Sequence, residues 1–554
     1  MKTELAADPK PKVLLELRPA FDGFAGIPQE TRLLFRGLRM LESVRVAGML
    51  QMSHRILAKG TVSRGLFFNE QRLPEYRKLN RYSRVVISAA TKPFSTLIDR
   101  IMDVFERRMM LVKLSFQTLL VGRTVRLSRF RTTYFGDFIW RTLFAKTLPA
   151  ADYELVTGAE QHICSIPWHT MHMVGLNTLS VLRTPRYVTL DTKGIDVFIS
   201  QTPYPAKVRR GTALVVRYHD ALPLFMPHTI PDKSLHQATH FYSLLSNVQS
   251  GAYFACVSEA TRSDLLKVFP DVRDRSVTIH NMVSHHYFLD ETARPERVPG
   301  IIRSRLSGLD VSLKKDPVAK EVTLVPNFLT LREQENFYRQ KLNPQKLRYL
   351  LVVSTIEPRK NHARLLAAWE VLKAEVDPDL KLVVVGSLGW DYQALITSFR
   401  TWIDRGELFM LSAVPAPDLR VLYRYAAATV CPSLGEGFDF SGVEAMRSGG
   451  VVTASDIPVH REIYDGAADF FDPYSTKSLV ESLTRILYAP DAQETQRRMQ
   501  ALGQEVSARY LPEKVLPQWD RFLGRVLQER RSSVVGRSGA RHHQPEAGAA
   551  AEEV

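Results

Sequence analysis

At 554 residues the chain is too long for one ordinary hydrophobic core, so two domains with additions are expected. No apolar run approaches the roughly 20 residues of a spanning helix, and Met1 to Lys10 lacks a signal peptide's apolar centre, so the expected location is cytoplasmic. A formal charge of +16 asks for an anionic partner, and three widely spaced cysteines, Cys164, Cys256 and Cys431, argue against a disulfide framework or a cysteine zinc site.

In chain order, Val13 to Leu17 reads as a first strand. Arg18 to Pro28 follows as the loop before a helix with Leu33, Leu34 and Leu38 on one face. Gly23 and Gly26 in that loop serve either an ordinary tight turn or close approach of backbone to a ligand. From about residue 45 to 190 the pattern is hard to parse and is expected to be an insertion or an elaborated acceptor region, rich in aromatics and arginine. Within it, Leu97, Ile101, Val104, Phe105, Met109, Val112, Phe116, Leu119 and Leu120 recur at helical spacing, interrupted by Arg100, Arg107, Arg108 and Lys113. A core-facing helix with a solvated charged face is the preferred reading, and a surface that docks on anionic lipid is the sharper one. Nucleic acid is not expected, because no zinc finger, helix-turn-helix or RNP pattern accompanies the charge.

Strands return at Asp196 to Ser200 and at Ala213 to Asp220, the second delivering His219 and Asp220 to its carboxyl end. That position favours a site role for His219 over a structural one. Ala252 to Ser258 is a further buried strand, with Ser258 placed to cap the next helix, and Ser276 to Ile279 closes the first sheet. Residues 290 to 345 are charged and proline-punctuated, a connection with a helical segment near Leu331 to Leu342. Beyond them strands at Leu350, Leu382, Ala428, Val451 and Ala468 alternate with helix faces, which implies a parallel sheet covered on both sides. Glu513 to Gln528 reads as a final helix, and the tail from Arg530 as disordered.

The most informative stretch is Cys431 to Met446. A short apolar strand delivers Glu436 to its carboxyl end, and Glu444 lies eight positions on, in the first turn of a helix. In open α/β sheets ligands bind in that crevice, and a helix N-terminus favours anions. Glu436 and Glu444, with E-G-F and E-A-M around them, resemble the donor-site signature of the retaining glycosyltransferases of family GT4. Tyr349 to Asn361, Leu382 to Trp390, Leu419 to Ala426, and Ser455 to Pro458 with Glu462 resemble the family's other elements in order, over about residues 345 to 490.

The resemblance implies an α/β GT-B fold, two Rossmann-like domains with parallel sheets facing across a cleft, plus the insertion. The expected organisation is 1–300 for an N-terminal acceptor domain with the insertion at about 45–190. A connection at 301–344, a nucleotide-sugar domain at 345–512, a crossover helix at 513–529 and a disordered tail at 530–554 complete it. It also implies metal-independent transfer of a hexose, with mannose from GDP-mannose the leading donor, to a lipid-linked saccharide in O-antigen or exopolysaccharide assembly. No cofactor or metal is expected. Catalytic roles fall to Glu436, His219 and Lys360, and donor binding to Arg359, Lys360, Glu444, Gly437, Phe438, Asp439 and Gly386. Gly23 and Gly26 line the phosphate and acceptor loop.

The partners implied are a nucleotide-diphosphate sugar, the lipid-linked acceptor and an anionic membrane surface on the inner face of the cytoplasmic membrane, where the protein would be peripheral. Alternatives on the same residues are another UDP- or GDP-hexose donor, a phosphorylase or epimerase, and a non-catalytic scaffold. Asp439 stands where the family often has glycine, and either contacts a sugar hydroxyl or caps the helix.

Overall fold

Short apolar runs such as Leu350 to Val353 and Leu382 to Val385 can be buried on both faces only in a parallel sheet flanked by helices. Both large sheets of this protein meet that condition. The computed structural model describes residues 10–23, 26–61, 73–306 and 324–539.

The N-terminal sheet holds β1 (Lys12–Glu16), β2 (Arg45–Leu50), β4 (Ser128–Phe130), β5 (Gln161–Ile163), β7 (Val197–Ser200), β9 (Ala213–Tyr218), β10 (Tyr253–Cys256) and β11 (Ser276–Thr278). Its order is β11-β10-β9-β7-β1-β2-β5-β4, parallel except for the β4 edge. A small three-stranded sheet of β3 (Thr124–Arg126), β6 (Thr189–Asp191) and β8 (Lys207–Val208) stands apart from it. The C-terminal sheet comprises β12 (Tyr349–Val353), β13 (Lys381–Val385), β14 (Leu408–Leu411), β15 (Ala428–Cys431), β16 (Val452–Ser455) and β17 (Ala468–Phe471). Its order, β14-β13-β12-β15-β16-β17, is the 3-2-1-4-5-6 arrangement of a dinucleotide-binding sheet, so its direction reverses between β12 and β15. The equivalent reversal in the first sheet falls between β1 and β7.

Alternation along each strand feeds both cores. In β12, Leu350 and Val352 pack with Trp369 on one face, while Tyr349 and Leu351 pack with Tyr423 on the other. In β1, Val13 and Leu15 join one core and Leu14 joins the opposite one. The helix Pro512–Gly539 starts beside the C-terminal domain and lays Val515, Trp519, Phe522, Leu523 and Val526 into the core of the first sheet. Its residues therefore complete a domain that begins about 500 positions earlier in the chain.

Several sequence expectations change here. The stretch expected as an insertion contributes three strands to the N-terminal sheet, because β2 pairs directly with β1 (Val13 opposite Val46), β5 with β2, and β4 with β5. The rest of that stretch, as far as it is described, is helices and part of the small sheet, whose weaker periodicity hid these strands. β14 was not anticipated, since four apolar residues at a sheet edge carry little pattern. In the connection, Val298, Ile301, Ile302, Leu306, Tyr338 and Leu342 pack into the second domain's core, and residues 307–323 lie outside the described residues. The tail expected to be disordered from Arg530 is helical as far as Gly539, and 540–554 lie outside the described residues.

The helix Leu97–Leu120 departs furthest from expectation. It packs on the helix Trp168–Leu179 through Leu114 and Thr118, its two buried residues, with Met110 and Leu111 partly covered. The apolar face picked out by the sequence points away from the protein: Phe105 is 57% exposed, Val112 65% and Phe116 63%. It is not a core-facing face.

Gly386 follows β13, and a Cβ there would lie 1.9 Å from the carbonyl oxygen of Ser354. Ser354 in turn donates its N–H to the Val385 carbonyl, so the two strand ends are tied together at that point. Gly386→Ala is expected to push them apart at a cost of about 1–3 kcal/mol. A thermal or urea melt of the variant should show a lower midpoint, and an unchanged midpoint would mean that the strand ends yield freely.

Candidate active site

The two loops that leave β12 and β15 meet at the sheet's reversal. Thr355 to Asn361 forms one, ending in Asn361, whose left-handed backbone (φ 56°) starts the helix His362–Glu375. Asn361 Nδ2 donates to the carbonyls of Pro432 (3.0 Å) and Pro473 (2.9 Å), and Leu434 N–H donates to the Arg359 carbonyl at 2.9 Å. These bonds zip the 355–361 turn to the 432–437 loop. They bring Arg359 and Lys360 against Glu436.

Arg359 Nη1 lies 2.8 Å from Glu436 Oε2, and Lys360 Nζ lies 2.5 Å from Oε1. Arg359 also donates to Glu357 Oε1 at 2.7 Å and to the Gly435 carbonyl at 2.7 Å. Burial by itself would raise the Glu436 pKa, but the two cations outweigh it and hold the carboxyl below its usual range. Burial raises Glu357 and Asp220, with Arg359 opposing in both cases. One guanidinium thus serves three carboxylates from two domains.

The glycines beside Glu436 do not leave open room. A Cβ at Gly435 would lie 2.7 Å from Met226 Sδ and 2.9 Å from Leu222 Cδ2, and one at Gly437 would lie 1.8 Å from the His219 carbonyl oxygen. The loop after β9 therefore packs on this motif, with backbone against backbone. The His219 side chain faces Gln201, with Nε2 3.4 Å from Gln201 Oε1, and burial pushes its pKa far down, so the ring is neutral.

Asp439 caps the helix Phe440–Arg447, accepting from Ser441 N–H at 3.1 Å and from Ser441 Oγ at 2.6 Å. Its φ of 46° keeps a turn that favours glycine, and the carboxylate meets His460 Nε2 at 3.2 Å. Burial would raise Asp439, but the bond from His460 and the charge of Lys360 hold it well below the carboxylate range. Of the two sequence readings of Asp439, the cap is the one seen. Phe438 is buried between His280, Phe440 and Tyr510, underneath the loop. Gly386 packs on Ser354, as described above.

Glu444 is buried at the interface between domains. Gln29 Nε2, from the helix Ile27–Arg39 of the first domain, donates to its Oε1 at 2.8 Å, and Tyr423 OH donates to Oε2 at 3.2 Å. Burial pushes Glu444 up to about 7, with Gln29, Tyr423 and Tyr287 opposing. Gln29 follows Gly26, whose backbone (φ 69°, ψ −137°) is accessible to glycine alone among common residues. Arg32 gathers the carbonyls of Ala20, Asp22 and Gly23, so it holds the chain leading up to this helix in place. Next to Gln29, Glu30 forms a fully buried ion pair with Arg217 of β9 at 2.9 Å, which fixes this helix relative to the strand that leads into His219.

A second bridge crosses the cleft at Glu462, on the helix Pro458–Tyr464. It accepts the N–H groups of Glu259 (2.7 Å) and Ala260 (2.9 Å) at the start of the helix Glu259–Val268. His280 Nε2 lies 2.8 Å from the same carboxylate. Ser258 caps that helix by accepting from Thr261 N–H at 3.1 Å, as its sequence position suggested. Trp390 Nε1 donates to the Thr229 carbonyl at 3.0 Å farther along the cleft.

Glu436, Arg359, Lys360, Asp439, Gly437 and the His219 backbone are therefore brought together, while Phe438 packs beneath the loop and Gly386 lies against Ser354 at the carboxyl end of β13. Sequence reasoning missed Gln29, Tyr287, Tyr423, Glu357 and His460 as site residues. Tyr423 sits on a helix face that reads as core, and Gln29 acts on the opposite domain, so neither leaves a local signal. Glu357 stood inside the recognised turn, and its position before Pro358 and Arg359 could have marked it.

The sign of the Glu444 shift sets a pH dependence. Between its ordinary 4.5 and about 7 the folded protein holds a proton that the unfolded chain has lost. Its contribution to stability is thus present below 4.5 and lost as pH rises through 7. Glu444→Gln should remove that slope, which is at most about 1.4 kcal/mol per pH unit. Urea titrations of both proteins at several pH values should show the variant gaining on the wild type toward neutrality; parallel curves would mean that Glu444 is ionised throughout.

Residues 333–506 match the family described as Glycosyl transferases group 1. The serotype-specific mannosyltransferase WbdA of Escherichia coli is 32% identical over 164 residues, which is 29% of this chain and 20% of that protein. The O-antigen chain mannosyltransferase RfbU of Salmonella typhimurium is 26% identical over 40% of this chain and 64% of its own length. The chain thus spans about a fifth of WbdA and somewhat under two thirds of RfbU. Among solved structures, sucrose-phosphate synthase from Thermosynechococcus elongatus superposes with a TM-score of 0.50 at 13% identity, covering 94% of this chain and 100% of that one. With its two parallel sheets meeting at a shared cleft, the chain has the GT-B fold, and its residues 333–506 are similar to the glycosyl transferases group 1 family.

Proposed function

We propose that the protein is a retaining glycosyltransferase that moves a hexose, with mannose from GDP-mannose the leading donor, to a lipid-linked saccharide acceptor in O-antigen or related surface-polysaccharide assembly. The observation that carries this reading is the meeting of Arg359, Lys360 and Glu436 at the reversal of the second sheet, opposite the loop bearing His219. The mannosyltransferases that this chain resembles support the choice of sugar and pathway.

Breaking a sugar–diphosphate bond leaves charge on the departing oxygen. Fixed cations stabilise that charge without reorganising as it forms. Arg359 and Lys360 stand ready for this, since Glu436 and its neighbours already hold them in position, and the reading requires no metal ion or cofactor. A diphosphate reaching the pair would compete with Glu436 for the same N–H donors. That leaves Glu436 free to oppose positive charge developing at the anomeric carbon. Glu444 would accept ribose hydroxyls in place of the Gln29 amide, and the neutral His219 ring would lie near the transferred sugar. Retention of configuration follows if the acceptor attacks from the face that the diphosphate leaves, with the leaving phosphate taking the acceptor's proton.

Calorimetry across GDP- and UDP-sugars in the presence of a chelator tests the donor. GDP-mannose is expected to bind and turn over there, and strict dependence on a divalent ion would overturn the metal-free reading. Lys360→Ala should weaken nucleoside-diphosphate binding by roughly ten- to a hundred-fold, the range expected for losing one charge-assisted hydrogen bond. Glu436→Gln separates the roles further, because it frees both cations while removing the carboxylate. Diphosphate affinity should rise and turnover fall, and a variant that lost both together would show that Glu436 holds the pocket's shape instead.

A further inference from the structure

The helix Leu97–Leu120 has 24 residues and is about 36 Å long. It is held to the protein along one side by Leu114, Thr118 and the bond from Asn177 Nδ2 to Ser115 Oγ at 3.2 Å. On the opposite side Ile101, Phe105, Met109, Val112, Phe116 and Leu120 form one continuous exposed stripe. At 100° per residue that stripe is about 100° wide, the width by which a core-facing helix buries itself. Arg108 borders it on one edge and Lys113 on the other, both exposed. Between residues 73 and 146 there are fifteen lysines and arginines against five aspartates and glutamates.

We propose that this helix lies in the surface of an anionic lipid bilayer, with its stripe among the upper acyl chains and its basic borders at the phosphates. Charge selects this occupant. A second copy meeting the first along this stripe would bring two strongly basic surfaces together, whereas an anionic bilayer supplies countercharge over the helix's whole length. The neighbouring surface fits the same partner: a hollow of about 340 Å³ beside the helix start is lined by Arg55, Arg84 and Ser88 with Ile87 and Phe94. No described helix is long and apolar enough to cross a membrane, so attachment of this kind is peripheral.

The helix is also close to the cleft. It packs on the helix Trp168–Leu179, and the Trp168 ring at that helix's start lies 4.1 Å from the guanidinium of Arg18, just past the carboxyl end of β1. Docking here would therefore place the mouth of the first domain against the bilayer. That orientation rests on the proposed function for its purpose, since a lipid-linked acceptor is reached from the membrane plane. The docking itself does not, and is measured without turnover.

Vesicle flotation tests it, using phosphatidylcholine alone and equimolar phosphatidylcholine and phosphatidylglycerol. The wild type should float with the anionic vesicles at low salt and much less with neutral ones. Binding should fall steeply in high salt, because the attraction is screened over roughly 8 Å at physiological strength. Arg108→Glu with Lys113→Glu, and separately Phe105→Ser with Phe116→Ser, should each lower anionic-vesicle binding by about ten-fold or more. Unchanged circular dichroism and melting midpoints would show that both variants stay folded. Arg107 is left intact because it is tied to Asp103 on its own helix. Two results overturn the proposal: both variants float like the wild type, or the wild type stays unbound and forms a dimer in light scattering that the double serine variant dissolves.

Discussion

A carboxylate taken out of water needs cations close by, and Glu436 is where that requirement shapes this molecule. Satisfying it draws the turn after β12 onto the loop after β15, because both Arg359 and Lys360 come from the first of these and Glu436 from the second. The same guanidinium reaches Glu357 and acts on Asp220 of the opposite domain. The charges that equip the cleft for an anionic ligand are thus those that hold its walls together. Function and local stability cannot be tuned independently there.

The two domains also meet through side chains whose hydrogen-bonding capacity is only partly committed. Glu444 receives the Gln29 amide across the interface beside the Tyr423 and Tyr287 hydroxyls, while Glu462 receives two backbone N–H groups across it and lies against His280. Each of these crossing bonds is polar and replaceable, in contrast to the close packing at Gly435 and Gly437. The buried Glu30–Arg217 pair, by contrast, is internal to the first domain and holds Gln29 and His219 in fixed relation to each other.

Much of the second domain is legible in the sequence, because its strands are buried on both faces and its site residues cluster within short loops. Glu436, Arg359, Lys360 and Asp439 do converge. What fills the space beside Gly435 and Gly437 is something no local pattern carries: Leu222, Met226 and the His219 carbonyl come from the other domain. The first domain is less legible, since β4 and β5 are only three residues long and β2 leads into residues without clear periodicity. The apolar spacing of the 97–120 helix does mark it as amphipathic. Periodicity says that one face is apolar, and only the packed structure says whether that face looks inward.

The closing helix has a consequence for how the protein is made. Val515, Trp519, Phe522, Leu523 and Val526 fill the core behind β1 and β9, and the Trp519 ring lies 5.2 Å from the Arg217 guanidinium. A ribosome delivering this chain from its N-terminus releases the first sheet long before the residues that seal it. During that interval an apolar surface and a buried-pair arginine stand uncovered, and the second domain must fold without capturing them. The first domain to be synthesised is therefore the last to be finished.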